Sequence, residues 1–165
     1  MTISNTISKE DLESLTRDIW GTMVGLDLVD AVMAGSPEPG ISSQVEIQGD
    51  TEVALRIDCS LELARKVAAR LFDMPEDQVD TDLILDAMSE MANILGGNIK
   101  GMWPGAIKLS LPLSWESGKD DPSEVSWVVA QGYDCGDGKM LVRVGENPDA
   151  EPAATDKPNT DKPKS

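Results

Sequence analysis

The sequence predicts an α+β fold, with long helices packed on a largely antiparallel sheet. Three observations carry that expectation. Apolar residues recur at helical spacing in three segments and alternate with period two in five others. The segments follow the order α–β–β–α–α–β–β–β, the pattern of an α+β domain. At 165 residues and 17.7 kDa the chain fits one domain able to bury its own core.

Ser8 followed by Asp11 has the form of a capping box and opens the first helix. Leu12, Leu15, Ile19, Met23 and Leu26 then repeat at helical spacing, and the helix is expected to end near Ala34-Gly35. Ser36-Pro37-Glu38-Pro39-Gly40 is a breaker loop. Val45 and Ile47 alternate with polar neighbours, Gly49-Asp50 reads as a two-residue turn, and Val53, Leu55 and Ile57 alternate again. Residues 41–58 are therefore expected to form a β-hairpin. Ser60 can cap a second helix that runs to about Phe72 and stops before Pro75. Asp80 or Thr81 can cap the third and longest helix, which reaches roughly Trp103 before Pro104-Gly105 ends it.

Beyond that point the period is two. Ile107, Leu109 and Leu111 make one strand, Val125, Trp127 and Val129 another, and Met140, Val142 and Val144 the last, with Gly132 to Gly138 turning between the final pair. From Glu146 onward the chain is polar and Pro-rich, and TDKP occurs at Thr155–Pro158 and again at Thr160–Pro163. Such a segment buries too little apolar surface to repay its ordering. Residues 1–146 are therefore read as the domain and 147–165 as a disordered tail.

Charge narrows the function. Thirty acidic residues stand against 14 basic ones, a formal net charge of −16. No basic patch is available to displace counterions from phosphate, so nucleic acid is not an expected partner, and anionic membranes are disfavoured for the same reason. The balance favours partners with positive groups or a metal ion at the contact surface. Histidine is absent, which removes the usual acid–base group near neutrality and any Ser–His or Cys–His nucleophile pair. Cys59 and Cys135 make no C-x-x-C and read as reduced core residues. The first residues lack the charged and apolar regions of a secretory signal, and no apolar run approaches transmembrane length. The expected location is the cytoplasm.

The third helix carries the chemistry. Asp86, Glu90, Asn93 and Gly97 follow one another at spacings of four, three and four, which places them within about 40° of one line along the helix. Ile84, Ala87, Met88, Met91, Ile94 and Leu95 fall on the opposite side, so the core face is complete without them. A carboxylate and a carboxamide one turn apart are then presented together on a rigid support. Gly96 and Gly97 are costly inside a helix, about 1 kcal/mol each relative to Ala. The expected reason is close approach of the sheet or of a docked partner. Asn98 should point toward the apolar flank and satisfy buried backbone groups, and the four tryptophans should pack in or around the core.

Asp86-x-x-x-Glu90-x-x-Asn93, followed by Gly97-Asn98 and a strand ending Ser110-Leu111-Pro112, resembles the CheC/CheX/FliY phosphatases of bacterial chemotaxis. With one copy of the motif and its Gly-Asn pair, the chain looks most like CheX. Pro112 lies nineteen positions after Asn93, a few short of the family spacing, a difference that a shorter connection at Trp103-Pro104-Gly105 would absorb. The resemblance implies hydrolysis of the aspartyl phosphate on a response-regulator receiver domain such as CheY, with Asn93 positioning the attacking water and Glu90 pairing with the receiver's lysine. Asp86 would lie on the site's rim, and Gly97, Asn98 and Pro112 would be structural parts of the motif. No cofactor or metal is implied in this chain, because the receiver would bring the Mg²⁺. A homodimer paired through the sheets is also implied. The rival expectations on the same fold are a non-catalytic adaptor that binds a receiver or flagellar-switch component, and an assembly domain whose polar line has no partner.

Overall fold

In the computed structural model, residues 7–118, 125–136 and 138–146 are described. The tail assigned to residues 147–165, and the first six residues, lie outside them. Three helices, α1 (Lys9–Val24), α2 (Leu61–Phe72) and α3 (Thr81–Met102), pack on one face of a seven-stranded antiparallel sheet. The strands are β1 (Val29–Ala31), β2 (Gly40–Gly49), β3 (Glu52–Ser60), β4 (Ala106–Leu109), β5 (Leu113–Glu116), β6 (Ser126–Asp134) and β7 (Lys139–Glu146). Their order is β1-β6-β7-β3-β2-β4, and β5 also pairs with β2. The α+β expectation therefore holds.

The core lies between the helices and the inward residues of the central strands. Val45, Ile47, Val53, Leu55, Ile57, Val142 and Val144 meet Leu12, Trp20, Leu63, Val67, Met88 and Met91, all buried. Trp103 is buried as well, at the end of α3. On the other side of the sheet, Asp58 accepts hydrogen bonds from Ser42 Oγ and from Arg143 Nη2 at 2.5 and 2.6 Å. The guanidiniums of Arg56 and Arg143 lie 5.0 and 4.6 Å from the ring centre of Trp127. That polar and aromatic layer leaves both faces of β2 and β3 mostly buried.

Several boundaries differ from the sequence expectation. The first helix ends at Val24, not near Ala34: Gly25 turns left-handed, φ +66°, and its N–H bonds back to the helix. Leu26, Val29 and Met33 continue the apolar spacing past that stop. Val29 to Ala31 instead form β1, paired with β6. The hairpin forms as expected, but the register joins Gln48 to Glu52, so three residues make the turn. Ser60 precedes α2 without capping it through its side chain, and its Oγ accepts from the Lys139 N–H instead. Strand β6 continues through Gly132 to Asp134, so the expected turn from Gly132 does not begin until the strand ends at Asp134.

The strand expected to reach Leu111 stops at Leu109. Glu46 exchanges two bonds with Ser110, its N–H donating to Ser110 Oγ and its carbonyl accepting from the Ser110 N–H, both at 2.9 Å. Pro112 has no N–H to offer a ladder. The chain leaves the sheet there and rejoins the same neighbour as β5, so β4 lies on Ile47–Gly49 and β5 on Ile41–Gln44.

Candidate functional site

Helix α3 is continuous over 22 residues, and Asp80 caps it by accepting the Leu83 N–H at 2.9 Å. Its inner face, Ile84, Ala87, Met88, Met91, Ala92, Leu95, Gly96 and Ile99, is buried. Glu90 and Asn93 lie on the opposite side of the same uninterrupted helix, about 4.5 Å apart along its axis. Asp86 and Gly97 extend that line in each direction, and both are exposed. Asp82, one turn before Asp86, is exposed too, so the first half of the ridge is acidic while its second half is almost bare.

The two central residues do not share one environment. Glu90 is exposed, whereas Asn93 is half-buried, although spacing puts both on the side opposite the core face. The difference follows from helical rotation, since Asn93 is the member of the line nearest the flank that carries Ser89 and Gly96. That flank rests on β2, β4 and β5. A Cβ on Gly96 would lie 2.7 Å from Val45 Cγ2 and 3.1 Å from Leu109 Cδ1, so Gly96 serves close approach of the sheet. Gly97 has no such neighbour: a Cβ there would meet nothing within 4 Å.

Behind the line, α3 is pinned by hydroxyls. Ser114 on β5 bonds Ser89 on the helix, and its other contact is Ser43 on β2 at 2.7 Å. Ser43 is fully buried. Neither Ser89 nor Ser114 was visible as a site residue in the sequence, because no spacing rule links positions 25 apart. Asn98 is exposed, not turned into the apolar flank, and its Nδ2 donates to the Ile94 carbonyl at 2.8 Å. It does satisfy a backbone group, but one of its own helix. Pro112 is half-buried in the connection between β4 and β5.

Burial pushes the Cys59 thiol well above the usual thiol range, so it offers no thiolate. Cys135 is half-buried in the turn after β6, and neither cysteine forms a disulfide. Among the described residues, no group of three or more His, Cys, Asp or Glu could hold a metal ion. No helix among them is long and apolar enough to cross a membrane. The cleft lined by Lys9, Glu13, Asp30, Val32 and Gln131 lies at the β1 edge of the sheet, away from the edge beside α3.

Comparison with known proteins agrees with this geometry. Residues 41–121, which contain the whole of α3, match the family model described as chemotaxis phosphatase CheX. Chemotaxis protein CheX from Vibrio vulnificus superposes with a TM-score of 0.68 at 14% identity, over 85% of this chain and 97% of the other. A chain of the CheX–CheY–BeF3–Mg+2 complex from Borrelia burgdorferi gives 0.66 at 20% identity, over 83% and 95%. A CheC-like superfamily protein from Shewanella sp. PV-4 gives 0.60 at 13%, over 81% and 93%. These likenesses establish the fold. No curated protein sequence matches. The family model, seated on the helix that carries the Glu90–Asn93 line, makes residues 41–121 similar to the CheX chemotaxis phosphatases.

Proposed function

We propose that this protein hydrolyses the aspartyl phosphate of a CheY-like receiver domain in the cytoplasm, with Asn93 positioning the attacking water and Glu90 pairing with the receiver's lysine. The observation that carries the reading is the placement of Glu90 and Asn93 one turn apart on the outer face of an unbroken helix whose inner face is wholly buried. An acyl phosphate is labile, and a receiver supplies the Mg²⁺ and lysine around it. The missing element is a water held in line with phosphorus. A carboxamide suits this, because it offers one water both a donor and an acceptor without titrating. Glu90, extended into solvent, reaches a partner's ammonium and fixes the register of docking. A site of this kind has to be convex, since the reacting group arrives buried in the partner's surface.

The test is decay of a labelled phospho-receiver, with binding measured in parallel to the receiver locked by beryllofluoride. Asn93→Ala should slow turnover about 100-fold, the scale of a misplaced reactant, with affinity nearly unchanged. Glu90→Ala should weaken both turnover and binding, and Glu90→Gln should fall between. Equal decay with wild type and Asn93→Ala would remove the catalytic reading and leave a receiver- or switch-binding adaptor.

A further inference from the structure

Leu111 is 88% exposed, although it sits beside a well-packed helix. Two contacts fix where it lies. Ser114 bonds Ser89, and Leu109 packs at Gly96, so the chain from 109 to 114 runs antiparallel to α3 between these two levels. The seven helical steps from Ser89 to Gly96 span about 10 Å. Ser110 to Leu113 therefore pass the helix at the level of Asn93, on the flank toward which Asn93 leans. Leu111 leaves the sheet at that point, between the Ser110–Glu46 bonds and Pro112. Leu113 is also exposed, but it pairs with Gln44 and so faces the other side of the sheet.

We infer that Leu111 is the apolar anchor by which a receiver domain docks, seating in an apolar depression next to the receiver's phosphorylated aspartate. This rests on the phosphatase reading above. The occupant follows from geometry. A partner that brings its phosphoryl group to a water on Asn93 must cover the flank at the same level, because a specific interface extends over about 800 Å² per partner. Charge alone would not hold it there. The ridge offers Asp82, Asp86 and Glu90, all exposed, and ion pairs at a solvated surface contribute little. Binding energy concentrates in a buried apolar or aromatic side chain near the centre of a contact, and Leu111 is the exposed large apolar side chain placed there.

The experiment uses the full chain and the receiver domains of its own genome, loaded with beryllofluoride and Mg²⁺ for binding or with labelled phosphate for turnover. Leu111→Ser should raise both the dissociation constant and KM by about tenfold or more, with kcat within about twofold. Leu111→Met should return both close to wild type, and Leu113→Ser, on the other face, should change neither. Unaltered binding by Leu111→Ser, or an equal loss with Leu113→Ser, would overturn the anchor while Asn93→Ala still reports on the chemistry. If wild type neither binds nor dephosphorylates any receiver, the phosphatase reading falls and the anchor with it.

Discussion

Gly96 and Gly97 are neighbours in sequence with opposite surroundings, and replacing each with alanine separates packing from docking. Alanine gains about 1 kcal/mol over glycine inside a helix. At Gly97 nothing opposes that gain, since a Cβ there meets no atom within 4 Å. Gly97→Ala should therefore stabilise the protein by about 1 kcal/mol and raise its melting midpoint by about 4 °C. At Gly96 the added methyl would lie 2.7 Å from Val45 Cγ2, a stiff β-branched side chain with no exposed surface. Overpacking of this kind costs about 1–3 kcal/mol, so Gly96→Ala should be neutral to about 2 kcal/mol destabilising. Calorimetry and chemical denaturation read both. The informative part is function: Gly97 is on the same line as Glu90 and Asn93, and intramolecular packing does not require it to be bare. If a partner backbone comes close there, the stabilised Gly97→Ala protein should dephosphorylate a receiver more slowly than wild type. Equal stabilisation at both positions would refute the packing argument. A more stable and fully active Gly97→Ala would refute the docking one.

Three further outcomes follow from residues outside the ridge. Asp58 is buried and holds Ser42 and Arg143 together, so Asp58→Ala should cost about 3 kcal/mol or more by stranding a guanidinium, read as a lower denaturation midpoint. Ser114→Ala should cost about 1–3 kcal/mol, because Ser43 loses a partner where no water reaches it; an unchanged midpoint would mean the hydroxyl chain does not hold the helix. Burial raises the Cys59 thiol, and burial raises the Tyr133 phenol to about 12. In both cases the unfolded chain ionises first, so stability should be complete below about pH 8.5 and fall as pH rises past the ordinary thiol and then phenol values. Cys59→Ala should flatten the first part of that fall, and a stability that stayed level to pH 11 would contradict the assignment.

Much of this architecture was legible because periodicity is a local signal. Helix α3 and the β2–β3 hairpin present apolar residues at most positions that face the core, Ser43 being an exception, and the sequence located all three. Strand β1 escaped because three residues, Val29 to Ala31, hold too few repeats to show a period. Strand β5 escaped for a different reason: its pattern is inverted. Leu113 and Trp115 face away from the helices while Ser114 faces α3 and bonds Ser89 and Ser43. Leu111 was misread the same way, since its apolar side chain fits a strand extended from Ile107 and Leu109. Only the Ser110–Glu46 bonds and Pro112 reveal that the strand has ended.

The site divides along the same line. The shared face of Glu90 and Asn93 could be read from spacing, because both lie on one helix. Their difference could not, because it depends on which flank β4 and β5 occupy. That difference bears on how a convex site can act with any accuracy. A helix face open to solvent gains rigidity only from behind, and α3 takes it from eight buried positions, the Asp80 cap and the Ser114 bonds. A side chain that must hold one water in line needs few accessible rotamers, and Asn93 is half-buried against the supported flank. One that must follow a partner's ammonium can be longer and looser, and Glu90 stands in solvent. The two environments differ in the direction that the two proposed roles require.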